Sequence, residues 1–291
     1  MIKTCALAEI STSIPTMEGA GVHLRRAFGF QNPERYDPFL LFDDFRSDLA
    51  EEYIKGFPWH PHRGIETITY VLRGDVEHGD SLGNKGVISD GDIQWMTAGS
   101  GIIHQEMPQG DKNGSMHGFQ LWLNLPAAEK MRPPRYRDVT AADIPTVQFE
   151  DGTTIRIICG EVRDIKGPVS GITTDPEYLD VTLPPATNFR HSCRGGYTYL
   201  AYVIDGSGKF APDSQKLCTN TDLIRFAEGD EIHVAGGDSG LRFLLLSGKP
   251  LGEPIAWRGP IVMNCEEQLQ QAFEEYQNGT FLKHDRSGKP L

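Results

Sequence analysis

Two short segments of the sequence carry residues that could bind a transition metal. His60 and His62 are separated by one residue, and so are His104 and Glu106. Residues i and i+2 of a β-strand point to the same face, so each pair could present two ligand atoms together. The histidines of a single His-x-His pair are more often solvated, or hydrogen-bonded within a core, than bound to a metal. Two converging pairs would offer three imidazoles and a carboxylate, which suit Fe(II), Mn(II), Ni(II), Cu(II) or Zn(II) and leave coordination positions open.

The sequence between the two pairs has the pattern of a strand, a turn and a second strand. Residues 65–72 are rich in β-branched and aromatic types, 90–92 read DGD, and 93–96 again favour a strand. A β-barrel that folds this segment back would bring the pairs face to face. With 32 Gly and 19 Pro, the sequence predicts an all-β fold of many short strands. The clearest helix is C-terminal, with Asn264 as predicted N-cap and Gly279 at its end.

A weak internal repeat predicts two related β units in tandem. The two matches are YVLRG (70–74) with YVIDG (202–206), and DGDI (90–93) with EGDE (228–231). We expect one unit in residues 1–132, which carries the metal site. The second unit is expected in residues 133–291, where it lacks metal ligands and ends in the C-terminal helix.

The repeat also predicts what stands at the ligand positions of the second unit. By the two offsets, the positions of His60, His62, His104 and Glu106 correspond to Ser192, Arg194, Arg242 and Leu244. This mapping predicts a single metal site, in the first unit. His191 and Cys193 lie one residue from mapped positions, so a one-residue shift of the alignment would place ligand types there.

The composition disfavours several other classes of protein. Forty acidic residues against 28 Lys and Arg give a net charge of −12, which disfavours direct binding of nucleic acid. No apolar run approaches the roughly 18 residues of a membrane span, and the start of the chain lacks the apolar core of a signal peptide. The five cysteines are scattered without a CxxC pair, which predicts a reducing, cytoplasmic location rather than a disulfide framework.

Longer stretches around the two pairs resemble the pirin family of the cupin superfamily. The resembling stretches are DPFLLFD (37–43), HPHRGIET (60–67), GDIQWMTAGSGIIHQEMP (91–108), GFQLWLNL (118–125) and GPIVMN (259–264). The resemblance extends over nearly the whole chain and is far more specific than a His-x-His pair. It implies a bicupin, that is, two tandem cupin-type β-barrels with a C-terminal α-helix.

The resemblance also implies one mononuclear metal, usually iron, in the N-terminal barrel. It assigns the ligands to His60, His62, His104 and Glu106. In cupins generally the Glu of the first motif, here Glu66, is a ligand, whereas the pirin pattern uses Glu106. Glu66 is then expected to accept an imidazole N–H and fix the tautomer of that ring. The metal is expected to be Fe(II), with Ni, Cu, Co, Mn and Zn as alternatives.

Two hypotheses for the function follow from the resemblance. Some pirins cleave the flavonol quercetin with dioxygen, and a eukaryotic member is described as a nuclear co-regulator. We therefore expect a dioxygenase that opens a flavonol-like aromatic substrate with O2, with Glu106 also acting as general base. The alternative is an iron-dependent, redox-sensing regulatory protein that acts through protein partners. The substrate-binding residues stay unassigned. Trp95, Met96 and Trp122 could line a pocket, but for each of them a place in the hydrophobic core is the favoured interpretation.

Overall fold

The computed structural model describes residues 2–212, 214–285 and 287–291. It divides into two compact units, and each unit draws on two separate stretches of the sequence. The larger unit contains Ile14–Ala141 and Leu251–Leu291, and the smaller unit contains the start of the chain up to Ser13 and Ala142–Pro250. The predicted division after residue 132 assigned the first residues of the chain to the first unit, whereas in the structure they belong to the smaller unit. No helix in the described part of the chain has the length and apolar composition needed to cross a membrane.

Within the described residues the chain forms 24 β-strands and one α-helix, and the predicted mostly-β fold is confirmed. In chain order the elements are β1 (Leu7–Thr12), β2 (Ile14–Glu18), β3 (Val22–Phe28), β4 (Phe39–Ser47), β5 (Phe57–His62), β6 (Ile65–Arg73), β7 (Val76–Asp80), β8 (Lys85–Ile88), β9 (Ile93–Thr97), β10 (Ile102–Pro108), β11 (Met116–Asn124), β12 (Arg135–Val139), β13 (Thr146–Gln148), β14 (Thr154–Cys159), β15 (Glu161–Val162), β16 (Ile165–Lys166), β17 (Glu177–Leu183), β18 (Asn188–Ser192), β19 (Thr198–Lys209), β20 (Cys218–Thr219), β21 (Asp222–Phe226), β22 (Glu231–Gly248), β23 (Ala256–Arg258), β24 (Ile261–Met263) and α1 (Glu266–Gln277).

The larger unit is built on two antiparallel sheets. A seven-stranded sheet has the order β12-β9-β6-β11-β4-β3-β2, and a four-stranded sheet has the order β5-β10-β7-β8. The central strands β6 and β11 are rich in β-branched, aromatic and leucine side chains that a pleated, buried surface favours. Thr69 on β6 donates a hydrogen bond to Glu106 on β10, so the two sheets face each other across the interior.

A tight turn separates the first histidine pair from β6. Gly64 has a φ of 78°, in the left-handed region, and a side chain here would meet the carbonyl oxygen of Val262 at 1.9 Å. Only glycine satisfies both conditions. Because this turn interrupts the strand, the alternation of faces along β5 does not continue into β6.

The smaller unit contains a nine-stranded sheet whose main path is β1-β21-β19-β22-β17-β14-β13. YVIDG of the repeat lies in β19, between β21 and β22, just as YVLRG lies in β6, between β9 and β11. The first match of the repeat therefore marks the third strand in each of these orders. Beside β21 the edge position is filled by β1, from the start of the chain, and the corresponding position beside β9 is filled by β12.

The C-terminal helix packs within the larger unit. Its buried residues Leu269 and Ala272 share a hydrophobic cluster with Met263 of β24. The predicted end is confirmed, because Gly279 adopts a φ of 73° just past the helix. The predicted N-cap is wrong: Cys265 is the N-cap, and the side-chain amide of Asn264 instead donates to the Glu253 carboxylate and the Pro254 carbonyl.

Candidate metal centre

Three histidines converge on one point inside the larger unit. Strands β5 and β10 are antiparallel neighbours, and His104 lies directly opposite His60 across this pair. His62 follows His60 by two residues on the same face. The Nε2 atom of His60 is 2.9 Å from that of His104 and 3.1 Å from that of His62. The predicted convergence of the two segments is therefore present for these three residues.

Backbone carbonyls fix the orientation of two of the rings. The Nδ1 of His60 is 2.8 Å from the Pro58 oxygen, and the Nδ1 of His62 is 3.0 Å from the Pro260 oxygen. A carbonyl can only accept, so each Nδ1 carries the proton and each Nε2 presents a lone pair. Two lone pairs facing each other at 3.1 Å repel, and a cation placed between them would remove the repulsion.

The spacing of the Nε2 atoms also fits a metal ion. Ligands about 2.1 Å from an ion, at right angles to each other, are roughly 3.0 Å apart. The two observed separations, 2.9 and 3.1 Å, lie on either side of that value. The ligand atoms of the three histidines all lie within 4.8 Å of one another. Within the described residues, no other group of three or more His, Cys, Asp or Glu side chains is close enough to hold a metal.

Burial keeps the three imidazoles neutral. His62 and His104 are 3% and 1% exposed. Loss of solvation lowers the pKa of His60 and lowers the pKa values of His62 and His104 well below 6.5. Neutral imidazole is the form that binds metal, so the site is in its ligating state at neutral pH.

Glu106 faces the same interior but is not part of the three-histidine group. It lines one cavity with His60 and His62, and its Oε1 is 2.7 Å from the Thr69 hydroxyl. Burial raises the pKa of Glu106, and the hydrogen bond from Thr69 partly opposes that rise. The Thr69 oxygen is also 2.9 Å from Gln120 Oε1. One hydroxyl has one proton, so Thr69 donates to only one of these two oxygens at a time, and Glu106 and Gln120 share a single donor.

The structure places Glu66 in a different hydrogen-bonded group. Its two carboxylate oxygens accept bonds from the Trp95 indole at 3.0 Å and the Thr97 hydroxyl at 2.6 Å. The turn at Gly64 separates β6 from β5, so strand alternation does not place Glu66 on the face of His62. Burial raises the pKa of Glu66, and its two donors hold it within the β6–β9 pair.

A cavity of about 420 Å³ opens onto His60 and His62, two of the three histidines. Its walls are largely apolar and aromatic, as small-molecule sites usually are. Trp122 lines this cavity, meets the ring of His62 edge to face at 5.0 Å between centroids, and also packs against the buried cluster that contains Leu40 and Met96. Trp95 and Met96 are buried in the core, at 1% and 0% exposure.

Charged residues that sequence reasoning missed also line the cavity. Arg26 donates two hydrogen bonds to Asp43, at 2.8 and 2.7 Å, and its third nitrogen is 2.8 Å from Glu18. All three residues line the cavity, together with Gln120. The available signal was a charged residue, Asp43, within the otherwise apolar run FLLFD, because burying an ion pair is costly and such pairs often serve a function.

The smaller unit differs from the mapping predicted from the repeat. Strand β18 pairs with the first part of β22, so that His191 lies opposite Ile232, both facing inward. His191 Nε2 is 3.1 Å from the Glu177 carboxylate. The mapping onto Arg242 and Leu244 is wrong, because these residues lie further along β22, paired with β17. Constant offsets fail here because β22 runs unbroken where the larger unit has two strands, β10 and β11, and a loop.

Comparison with known proteins places these features in a family. Residues 21–123 match the family model Pirin, and residues 178–282 match the family model Pirin C-terminal cupin domain. The chain belongs to the pirin family. The predicted family and the two cupin domains are thereby confirmed.

Pirin relatives match over almost the full chain. A pirin-like protein of Caulobacter vibrioides is 43% identical over 268 residues, covering 92% of this chain and 95% of its own. Human pirin is 39% identical over 265 residues, covering 90% and 88%. The crystal structure of a quercetin 2,3-dioxygenase from Acinetobacter baumannii matches with a TM-score of 0.86 and 30% identity, covering 97% of this chain and 99% of that chain.

Proposed function

We propose that this pirin is a metal-dependent dioxygenase that opens the ring of a flavonol-like substrate with O2. The observation that carries the proposal is the convergence of three neutral imidazole Nε2 atoms beside a largely apolar cavity, which His60 and His62 line. The similarity to a structure named quercetin 2,3-dioxygenase supports the substrate class. Three nitrogen ligands leave room for further ligands, which a catalytic site needs and a closed structural site lacks.

The histidines would hold the ion, and their backbone partners would keep them in place. His60 and His62 cannot turn without losing the hydrogen bonds to Pro58 and Pro260. A bound redox metal, Fe(II) in our proposal, would act as a Lewis acid toward the substrate hydroxyl and as the redox partner of dioxygen. Ni, Cu, Co and Mn are alternatives that the same donor set accepts, and Zn would bind without redox chemistry.

Glu106 is proposed as the fourth ligand and as the general base. Its carboxylate lies in the same cavity, and burial raises its pKa, which makes it a stronger base than an exposed carboxylate. Thr69 holds one carboxylate oxygen at 2.7 Å and leaves the other for the ion or the substrate proton. We propose that Glu106 accepts the proton of the ring hydroxyl before O2 attacks.

The cavity walls would orient the substrate and exclude water. Leu41, Phe45 and Trp122 line the cavity with apolar and aromatic surface. A planar aromatic substrate would pack against these side chains by dispersion and ring contacts. Excluding water protects a reactive ring from competing hydrolysis.

The deciding experiment follows substrate, oxygen and carbon monoxide together. Protein loaded in turn with Fe, Ni, Co, Mn or Cu is mixed with quercetin under nitrogen, and oxygen is then admitted. We expect one O2 consumed and one CO released per quercetin with at least one metal, and none with His62→Ala. Quercetin left intact with every metal would eliminate the proposal and favour the redox-sensing alternative, for which a metal-dependent protein partner would then be sought.

A further inference from the structure

One polar residue from each of six neighbouring strands lies in a single row across the seven-stranded sheet. Each residue is the direct cross-strand partner of the next, in the order Asp138, Gln94, Thr69, Gln120, Asp43 and Arg26. Below, this set is called the polar row. Gln94 donates to Asp138 at 3.0 Å, and Thr69 contacts Gln120 at 2.9 Å. Burying a row of polar groups in a sheet costs free energy unless each group is hydrogen-bonded within the protein or to a ligand.

One part of the polar row forms a stripe on the cavity floor. Arg26, Asp43 and Gln120 all line the cavity. Residues two positions away on the same strands share their face. On one side these are Leu41 and Trp122, and on the other Leu24 and Phe45, all of which also line the cavity. A flat ligand lying on this floor would meet polar groups under its middle and apolar groups on both sides.

The stripe begins next to the proposed chemistry and leads away from it. Thr69, which holds Glu106, is the cross-strand neighbour of Gln120, and Gln120 is the neighbour of Asp43. Strands are about 4.8 Å apart, so Asp43 lies two strands, or roughly 10 Å, from Thr69. That distance matches a ligand of two or three rings with one end at the metal.

The charges of the stripe select for hydroxyl groups and against carboxylates. The Arg26 cation is shared between two carboxylates, Asp43 and Glu18, so this end of the cavity has a net negative charge. An anionic ligand group would be repelled there. The Asp43 carboxylate has more lone pairs than the two that Arg26 uses, so it can accept further hydrogen bonds. The Gln120 amide can likewise make hydrogen bonds in addition to its contact with Thr69.

We propose that Asp43 and Gln120, held by Arg26, form a subsite that binds the hydroxyl groups of an uncharged, planar, polyhydroxylated aromatic substrate at the end away from the metal. This inference rests on the proposed function and adds the residues that determine specificity. Asp43 accepts a hydrogen bond from a substrate hydroxyl, Gln120 completes the contact, and Arg26 keeps Asp43 in position.

The test measures binding without turnover. Dissociation constants of the metal-loaded protein are measured under nitrogen, by quenching of tryptophan fluorescence, for quercetin and for 3-hydroxyflavone, which keeps only the metal-binding hydroxyl. We expect quercetin to bind at least about tenfold more tightly, the size of one hydrogen bond to a charged group. Asp43→Asn and Gln120→Met should each reduce this ratio several-fold, while a flavone carboxylate should bind more weakly than either flavonol.

Asp138→Asn is the matched control, because Asp138 ends the polar row but does not line the cavity. It should leave the ratio of the two dissociation constants unchanged. An unchanged ratio in both Asp43→Asn and Gln120→Met, or tight binding of the carboxylate, overturns the subsite while leaving the dioxygenase proposal standing. If neither flavonol binds to the wild-type protein, both proposals fail together.

Discussion

His60 and His104 are 44 residues apart in the sequence and direct neighbours across β5 and β10, with their Nε2 atoms 2.9 Å apart. The pairing register of two strands therefore sets the distance between two proposed metal ligands. A one-residue slip would turn one ring to the opposite face of the sheet. The geometry of the site therefore depends on the β5–β10 register, which backbone hydrogen bonds fix.

Removing one of these rings should abolish tight metal binding. For His104→Ala we expect affinity for Fe(II) or Ni(II) to fall by at least about 100-fold, since losing a direct ligand costs more than losing its hydrogen-bond partner. Elemental analysis of the purified protein would measure this. His23→Ala is the control, because His23 is about half exposed and paired with Glu52, outside the metal group. Equal metal content in the two variants would contradict the assignment.

The Thr69 hydroxyl should set the acidic limb of the pH profile of turnover. Its hydrogen bond lowers the pKa of Glu106, so Thr69→Val should raise that pKa. A general base works when ionised, and the acidic limb should therefore move to higher pH. Thr67→Val makes the same chemical change two residues away and should leave the profile in place. An unshifted profile in Thr69→Val would show that Glu106 does not titrate as the base.

Lys130 should make the stability of the larger unit depend on pH. The buried Lys130 ammonium donates to Gly64, Asn124 and Val262, and burial lowers its pKa to about 7 from 10.5, so the neutral amine that forms above this value keeps two of the three donors. Between these values the unfolded chain binds more protons than the folded chain, so the contribution of Lys130 to the free energy of unfolding rises with pH. The slope is at most about 1.4 kcal/mol per pH unit.

Urea unfolding of wild type and Lys130→Met between pH 6.5 and about 10 would measure this effect, since the methionine cannot titrate. The difference between their unfolding free energies should change in favour of the wild type as pH rises. Parallel curves across the whole window would mean that the amine keeps an ordinary pKa in the folded protein.

Two cysteines of the smaller unit should form a disulfide under prolonged oxidation, slowly, because burial raises the pKa of the Cys193 thiol and leaves little thiolate. The Sγ atoms of Cys5 and Cys193 are 3.5 Å apart, and Cys193 is partly exposed. One hydrogen peroxide would oxidise the two thiols to a disulfide and yield two waters. Non-reducing peptide mapping should find the cross-link in the Cys265→Ser background and lose it in Cys5→Ser. A cross-link that survives Cys5→Ser would contradict the assignment.

Short-range patterns in the sequence predicted most of the site. The strands around residues 65–72 and 93–96 follow from β-branched and aromatic composition, and the i, i+2 rule places His60 and His62 on one face. The convergence of these residues with His104 needed only that the intervening chain fold back once. These features depend on local alternation, which a sequence shows directly.

Other features depend on contacts that no local pattern shows. Asn264 is a favourable N-cap type, yet Glu253 and Pro254 compete for its side chain and Cys265 takes the cap position. Glu66 was assigned from its place in the first cupin motif, whereas its donors, Trp95 and Thr97, come from the neighbouring strand β9. The polar row is the clearest case, because each member is unremarkable in its own strand and the alignment appears only when six strands are in register.

The hydrogen bond between His62 and Pro260 has a consequence for how the protein is made. The ring that β5 presents early in the chain is oriented by a carbonyl almost 200 positions later. A ribosome must therefore translate the whole smaller unit before the residue that steadies His62 leaves the exit tunnel. A nascent chain cannot orient the His62 ring until Pro260 has been synthesised, so metal loading should follow translation of the smaller unit.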